Sequence, residues 1–355
     1  MERMSVLNQL YAYSDWANAK ILERCLKLTD SQLDQPRDLG PGTLRQTLYH
    51  VAMAELIWLE RWKLLPWRPF PTDAQGMSVA DIANLLKDLS QQRLEFFANQ
   101  SNLESEIAYR NLKGDPFAYP LIELAMHVAN HGIHHRSQIL AYLKSFGEVF
   151  PAGLDYLFFR FAQPVVEQPA ETIASMRGFG MEVGTAPGCS IEWDKKRILR
   201  YFAYHDWCND MVLDLASHLS SESLDRDHGM GPGTIRKTLL HLLDAERWWL
   251  QNWKDPQPWE HSDPQMTIEA LRSQWISLRQ HRRTFVESLS ESTADRVVEV
   301  FVVGMKVRVV VSESLMQLCC HGTHHRAQAI NMLRQEGEKA APSDYVVWLK
   351  DNPLA

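Results

Sequence analysis

Two histidine-rich stretches of this chain have the residue types and the spacing of a metal site. They read HGIHHRSQ, beginning at His131, and HGTHHRAQ, beginning at His321. His131 and His135 are four residues apart, as are His321 and His325, and residues at that spacing on an α-helix project from one face. Two imidazoles so placed can bind one metal ion, so both pairs are candidate ligands. Because two histidines rarely suffice, a third ligand must come from another element.

The apolar periodicity of the first half of the chain predicts four helices that would position these side chains. The second helix is expected to start at Thr43, after a Pro-Gly turn signal. Ser78 is a predicted N-cap of the third helix, with Asp81 as the third helical residue. The segment before the fourth helix, residues 101–119, is predicted to be an irregular loop or a short hairpin. The predicted helices cover residues 6–28, 43–62, 78–99 and 120–146.

The same order of markers returns in the second half, at an offset of 189 to 191 residues. Such markers, spread over most of each half, indicate a tandem duplication of one domain. A solenoid is excluded because its repeats are far shorter. The repeated markers are Tyr13 and Tyr204 of a YxDWxN motif, Gly40 and Gly231 of a GPGT motif, His50 and His241, and Asp155 and Asp344 of a closing Asp-Tyr pair.

The duplication predicts two domains of one fold class. Residues 1–162 form the first predicted domain, residues 163–190 have the proline- and glycine-rich composition of a linker, and residues 191–355 form the second. With four long helices and no convincing series of strands, each domain is predicted to be an all-α four-helix bundle. The connection between the second and third helices is long, which is compatible with a parallel arrangement of those two helices.

His50 and His241 are the candidate third ligands. Each is the one histidine of its second helix and lies on an otherwise apolar stripe. A core histidine of this kind is usually satisfied by hydrogen bonds, but here each copy also has an HxxxH pair on another helix of the same bundle. Three imidazoles with an open coordination position are typical of a catalytic metal site. Nitrogen ligands suit zinc, nickel, copper or iron, and the residues alone do not choose among them.

The composition excludes several other classes of protein. The net charge of -7 gives no basic surface for nucleic acid. No apolar run reaches the roughly 18 residues of a membrane helix, and the N-terminal residues lack the apolar core of a signal peptide. The 5 cysteines are irregularly spaced and do not form a disulfide framework. A cytoplasmic protein that contacts neither nucleic acid nor membrane is expected.

The upstream histidine, the HGxHHRxQ stretch and the closing Asp-Tyr pair resemble the DinB/YfiT-like metalloenzymes, and the resemblance covers both copies. It implies four-helix bundles of up-down-down-up order. It also implies zinc or nickel as the metal. Members of the family whose reactions are understood use low-molecular-weight thiols, in S-transfer or in a thiol-dependent isomerisation. The ligands that the resemblance implies are His50, His131 and His135 in the first copy and His241, His321 and His325 in the second.

Residues that flank the candidate ligands have two interpretations each. Gln138 and Gln328 either orient a ligand or are ordinary residues at the edge of the core. Arg136 and Arg326 are predicted to form structural salt bridges, with Glu55 and Glu246 as candidate partners. His134 and His324 are predicted to be surface or interface histidines. His127 is not expected to be an essential ligand, because its counterpart is Gln317. Cys319 and Cys320 are predicted to be buried free thiols.

Metal-assisted transfer to or from a small-molecule thiol is therefore the first functional hypothesis. A metal-dependent hydrolase is the alternative if water takes the place of the thiol. A metal-binding scaffold without catalytic activity is a third hypothesis, and a closed shell of four protein ligands would favour it. The two copies are also expected to pack as an intramolecular pseudo-dimer.

Overall fold

The computed structural model describes residues 3–74, 76–151, 153–184 and 188–352. Residues 185–187 of the predicted linker lie outside this part of the chain. The described residues form an all-α protein, as predicted, with three short two-stranded sheets added to the helices. None of the helices described is long and apolar enough to cross a membrane.

The elements follow the predicted repeat closely. In the first copy they are β1 (Arg3–Met4), α1 (Val6–Cys25), α2 (Asp30–Leu33), α3 (Leu44–Trp62), α4 (Val79–Ala98), β2 (Glu106–Arg110), β3 (Pro116–Pro120), α5 (Leu121–Ser145) and α6 (Tyr156–Ala162). The chain then continues with α7 (Ala170–Gly178), β4 (Ser190–Ile191), α8 (Lys195–Ala216), α9 (Ser221–Asp225), α10 (Ile235–Asn252), α11 (Ile268–Ser288), α12 (Glu291–Ala294), β5 (Val297–Val302), β6 (Met305–Val310), α13 (Val311–Gln335) and α14 (Tyr345–Asp351).

Side-chain caps set the starts of the second and third helices where the sequence predicts them. The Thr43 hydroxyl accepts a hydrogen bond from the Gln46 amide at 3.0 Å. Ser78 and Asp81 form a reciprocal capping box, in which each side chain accepts from the backbone amide of the other. Such caps satisfy amides that have no partner within the helix and contribute about 1 kcal/mol each.

A β-hairpin forms in residues 101–119, for which the sequence predicts either an irregular loop or a short hairpin. Strands β2 and β3 pair in antiparallel register, with Ile107 opposite Tyr119. The second copy contains the longer hairpin β5–β6, in which Val300 and Val307 are paired and fully buried. Alternating buried valines are a strand signal, but the sequence analysis assigned no strand to this stretch.

The segment predicted as a linker contains helix α7, and the residues around this helix bind to strand β6. Gln168 donates to the Arg308 carbonyl at 2.6 Å and accepts from the Arg308 amide at 2.9 Å. The Thr172 hydroxyl donates to the Lys306 carbonyl at 3.0 Å. These bonds satisfy backbone groups on the edge of the hairpin, which would otherwise be open to pairing with another strand.

The chain forms two compact units, and their boundaries differ from those of the two sequence repeats. The last segment of each repeat belongs to the unit formed mainly by the other repeat. The first unit comprises Leu10–Glu148 and Pro342–Ala355, and the second comprises Met1–Gln9 and Val149–Ala341. Helix α6, from the first repeat, therefore belongs to the second unit, and helix α14, from the second repeat, belongs to the first. The predicted domain boundaries describe the sequence duplication and stay a prediction.

A buried arginine joins three helices in each unit. In the first unit Arg93 of α4 binds Asp15 of α1 at 2.7 Å and Glu55 of α3 at 2.5 Å. In the second unit Arg282 of α11 binds Asp206 of α8 at 2.6 Å and also pairs with Glu246 of α10. Removal of one member of such a buried network leaves uncompensated charge in the core.

Replacement of Arg282 by Ala should lower the free energy of unfolding by about 3–5 kcal/mol, because the Glu246 carboxylate would remain buried without its counter-charge. Urea denaturation followed by circular dichroism measures this change. Arg272→Ala is the matched control on the same helix, since it removes an exposed pair with Asp214 and should cost about 0–1 kcal/mol. Equal losses in the two variants would contradict a structural role for the buried network.

Candidate metal centres

The first unit brings His50, His131 and His135 together between helices α3 and α5. His50 Nε2 lies 3.1 Å from His131 Nε2, and His131 Nε2 lies 3.1 Å from His135 Nε2. His131 and His135 share one face of α5 because they are one helical turn apart. His50 reaches the same point from α3, the helix that packs against α5. These are the three residues that the sequence proposes as ligands.

The second unit repeats this arrangement with His241, His321 and His325. The ring centroids are 4.9 Å apart for His241 and His321, 4.6 Å for His241 and His325, and 4.4 Å for His321 and His325. The corresponding separations in the first unit are 5.0, 4.6 and 4.4 Å. The two groups therefore have the same geometry to within about 0.1 Å, although their surroundings differ.

The spacing of the ring nitrogens fits a tetrahedral metal ion. Zinc binds histidine nitrogen at about 2.0–2.1 Å, which places two ligand nitrogens about 3.3 Å apart. The observed 3.1 Å separations in the first unit are close to that value. Within the described residues, the candidate ligand atoms of each group lie within 4.8 Å of one another, and each group consists of its three histidines. Neither group includes a cysteine or a carboxylate as a fourth ligand.

Burial disfavours the charged form of four of these imidazoles, two in each unit. Desolvation lowers the pKa of His50, and it lowers the pKa of His131 well below its ordinary range, with a further contribution from the neighbouring imidazoles. In the second unit burial, followed by the nearby His321, lowers the pKa of His241 to about 3 and that of His325 well below its ordinary value. A metal ligand must be the neutral imidazole, and the lowered pKa values of these four histidines favour that form.

A glutamine fixes the ring orientation of the last histidine in each group. His135 Nδ1 lies 2.8 Å from Gln138 Oε1, and His325 Nδ1 lies 2.8 Å from Gln328 Oε1. Since an amide oxygen only accepts, the proton is on Nδ1 and the lone pair of Nε2 is directed into the group. Of the two interpretations of these glutamines, the structure supports the one in which they orient a ligand.

The same glutamines also contact His134 and His324. The Gln138 amide nitrogen lies 3.3 Å from His134 Nε2, and that of Gln328 lies 3.0 Å from His324 Nε2. Both histidines are half-buried, so the predicted surface position is only partly correct. They support the glutamines that orient His135 and His325.

The GPGT motif makes room for the orienting glutamine. Gly40 has a φ of +56°, and a Cβ on this residue would overlap the Gln138 side-chain oxygen. Gly231 has a φ of +51° and the same relation to Gln328. Glycine is therefore required both for the left-handed backbone and for the close approach. The sequence analysis used this motif only as a marker of the repeat.

A carboxylate is bound to the outer nitrogen of His321. Its Nδ1 donates to Asp155 Oδ2 at 3.0 Å. Burial opposes ionisation of Asp155, but the bond from His321 and the nearby imidazoles hold the pKa of this carboxyl below its usual range. The sequence analysis gave Asp155 no role, although it recognised the Asp-Tyr pair as a repeated marker.

The predicted ion pairs of Arg136 and Arg326 with Glu55 and Glu246 are wrong. The arginines of the third helices, Arg93 and Arg282, bind those carboxylates instead. Arg136 donates to Asn18 at 3.3 Å and to Ser14 at 3.2 Å. Arg326 donates to Asn209 at 3.1 Å and contacts His205 at 2.9 Å. The asparagines of the repeated YxDWxN motif therefore anchor the arginine that follows the last ligand.

Several other predicted positions are found where the sequence places them. His127 lies outside the metal-binding group and packs edge-on against Trp58, with ring centroids 5.0 Å apart. Burial, followed by the charge of Arg61, lowers the pKa of His127 to about 3. Cys319 and Cys320 are buried, as predicted, and neither is assigned to a disulfide bond.

Aromatic side chains cover the histidine that comes from the second helix of each copy. The Phe70 ring lies 5.2 Å from the His50 ring, and the Trp259 ring lies 5.9 Å from the His241 ring, each measured between centroids. Phe70 and Trp259 lie in the long connections after α3 and α10. These connections supply an apolar wall beside each group, but the two walls differ chemically.

The fold and the two sites define the class of this protein. It is a helical protein with two repeats, and each repeat contributes a three-histidine group. The chain belongs to the DinB family, whose model matches residues 4–171 and 194–352, one match for each repeat. These matches confirm the resemblance and the tandem duplication. Protein DinB of Bacillus subtilis (strain 168) is 25% identical over 160 residues, which are 43% of this chain and 92% of that protein. No solved structure matches the chain.

Gly40→Ala should weaken metal binding by the first group about tenfold, because displacement of Gln138 frees the His135 ring to rotate. Competition with a chromophoric chelator, in a His241→Ala background that leaves one group intact, measures this affinity. Gly42→Ala is the control, since Gly42 also has a positive φ but a Cβ there would meet nothing within 4 Å. Similar affinities in the two variants would contradict the proposed role of Gln138.

Proposed function

We propose that each three-histidine group holds a divalent metal ion, zinc or nickel, and that the protein is a metal-dependent transferase that acts on a low-molecular-weight thiol. Iron also suits this ligand set. The observation that carries the proposal is the open shell. Three imidazoles converge, and neither group includes a fourth Cys, Asp or Glu among the described residues. Structural metal sites are closed by four protein ligands, whereas catalytic sites keep a position for substrate or water.

A divalent ion bound to three imidazoles lowers the pKa of a thiol or water in its open position and supplies a nucleophile at neutral pH. The protein's own residues hold and orient the ligands. Gln138 and Gln328 hold the proton of His135 and His325 on Nδ1, so that Nε2 is available for binding. Phe70 and Trp259 provide apolar surface beside the groups, and apolar surface limits the access of water to a bound thiol.

Membership of the DinB family supports the proposal that the histidines bind a metal ion. The proposed thiol substrate is inferred from the resemblance to this family. Hydrolysis by a metal-bound water is the alternative, and it uses the same open position. The duplication also supports an intramolecular pseudo-dimer of the two bundles, which stays a prediction. The proposed substrate is a small molecule, since the net charge of -7 offers no basic surface for nucleic acid.

Thiol transfer to a simple electrophile tests the proposal. The metal-free chain, reconstituted with zinc or nickel, is mixed with a panel of low-molecular-weight thiols and 1-chloro-2,4-dinitrobenzene. A carbon–sulfur bond forms, the carbon–chlorine bond breaks, chloride leaves, and the thiol proton passes to the buffer. Thiol-dependent product formation should exceed the uncatalysed rate and fall to that rate when His50 and His241 are both replaced by Ala.

His218→Ala is the control for the transfer reaction, because His218 is an exposed histidine outside both groups and its loss should leave the rate unchanged. Turnover of an activated ester without any thiol would favour the hydrolase. A metal-loaded chain that accelerates neither reaction would contradict the catalytic proposal and leave a metal-binding scaffold.

A further inference from the structure

The Asp-Tyr pair that closes the first repeat lies in the second unit, against the helix that carries His321. Asp155 Oδ2 is 3.0 Å from His321 Nδ1. The side chains of Asp155 and His321 are 23% and 11% exposed, respectively, so the bond is largely protected from water. The two residues are separated by 166 positions in the sequence, and each belongs to a different repeat.

The carboxylate of Asp155 does not cap helix α6. Asp155 occupies the N-cap position of α6, where an aspartate normally accepts a backbone hydrogen bond and contributes about 1 kcal/mol. Its side chain makes no capping bond. The carboxylate of Asp155 is therefore available to the distant imidazole of His321.

A buried polar network holds Asp155 in place. Gln317 donates to Asp155 Oδ2 at 3.3 Å and accepts from the Leu157 amide at 2.8 Å. The next residue, Tyr156, donates to Glu313 at 2.5 Å. Gln317 and Glu313 are on α13, the helix of His321 and His325, so α6 and the carboxylate are fixed relative to the histidines that they serve.

We propose that Asp155 is a positioning residue for the group formed by His241, His321 and His325. By accepting a hydrogen bond from Nδ1, it holds the proton of His321 on that nitrogen and directs Nε2 into the group. The Nε2 atom is buried and has no hydrogen-bond partner in the described structure, as a nitrogen reserved for a metal requires. The inference rests on the proposed metal binding, and it means that a residue of the first repeat completes the site of the second.

The corresponding position in the first unit is built differently. The counterpart of Gln317 is His127, which packs against Trp58 and has a ring in place of the amide that binds Asp155. Asp344, the counterpart of Asp155, also occupies an N-cap position without a capping bond. Asp344 belongs to the first unit, so a substitution there provides a matched control for the second group.

Zinc affinity of the full chain in a His50→Ala background tests the proposal, because only the second group then binds. Asp155→Ala should weaken zinc binding about 10–100-fold, measured by competition with a chromophoric chelator, and Asp155→Asn, whose side-chain oxygen can still accept from Nδ1, should weaken it less. Asp344→Asn in the same background should leave the affinity unchanged. Unchanged affinity in both Asp155 variants would overturn the proposal, as would an equal loss in the Asp344 variant.

A measurement without metal separates this proposal from the proposed function. In the metal-free chain labelled with ¹⁵N-histidine, the Nδ1–H proton of His321 should give a downfield NMR signal that is absent from a His321→Gln variant. Asp155→Ala should remove or shift that signal, and Asp344→Asn should not. Failure of the His50→Ala chain to bind zinc would refute metal binding by the second group. Persistence of an unshifted Nδ1–H signal in Asp155→Ala would refute the Asp155–His321 interaction itself.

Discussion

Three imidazoles meet at one point in each unit, and desolvation is the constraint that disfavours the charged form of two of them in each case. Water-exposed histidines would be partly protonated near neutral pH and would repel one another at the 3.1 Å separations seen between His131 and its two neighbours. Desolvation lowers the pKa of His50, His131, His241 and His325. The proposed metal ion would accept the ring-nitrogen lone pairs that converge in each group. The rings meet because α3 packs against α5 in the first unit and α10 packs against α13 in the second.

Polar networks hold the site in a single arrangement. Arg93 and Arg282 are buried, and each joins three helices through ion pairs with two carboxylates. On α5 and α13, Arg136 and Arg326 bind the asparagines of the first helix of each copy. Gly132 and Gly322 leave space for these arginines, because a Cβ would come within 3 Å of the guanidinium in both cases. The residues that mark the duplication in the sequence are thus largely those that position the histidines. Their repetition follows from the repetition of the site.

Local and periodic features of the fold could be predicted from the sequence, whereas long-range pairing could not. The HxxxH spacing dictates a shared helical face, and Thr43 and Ser78 cap the helices that the apolar periodicity predicts. The ligand sets follow, because each second helix contains one histidine on its core-facing stripe. Asp155 was missed because its partner lies 166 residues away, in the other repeat, and no periodicity encodes that exchange. The sequence offers Glu55 as a candidate partner of Arg136, but a periodicity does not reveal that Arg93 is close enough to bind the same carboxylate.

Metal content per chain is the measurement that tests the central claim most directly. The protein is purified without added metal and without an affinity tag, titrated with zinc or nickel, and analysed by mass spectrometry of the metal, alongside His50→Ala and His241→Ala variants. Two independent three-histidine sites predict two equivalents for the wild type, about one for each single variant and none for the double variant. Absence of bound metal from the wild type after titration would contradict the account and leave a helical protein with two groups of buried histidines. Loss of both equivalents in either single variant would contradict the independence of the two sites.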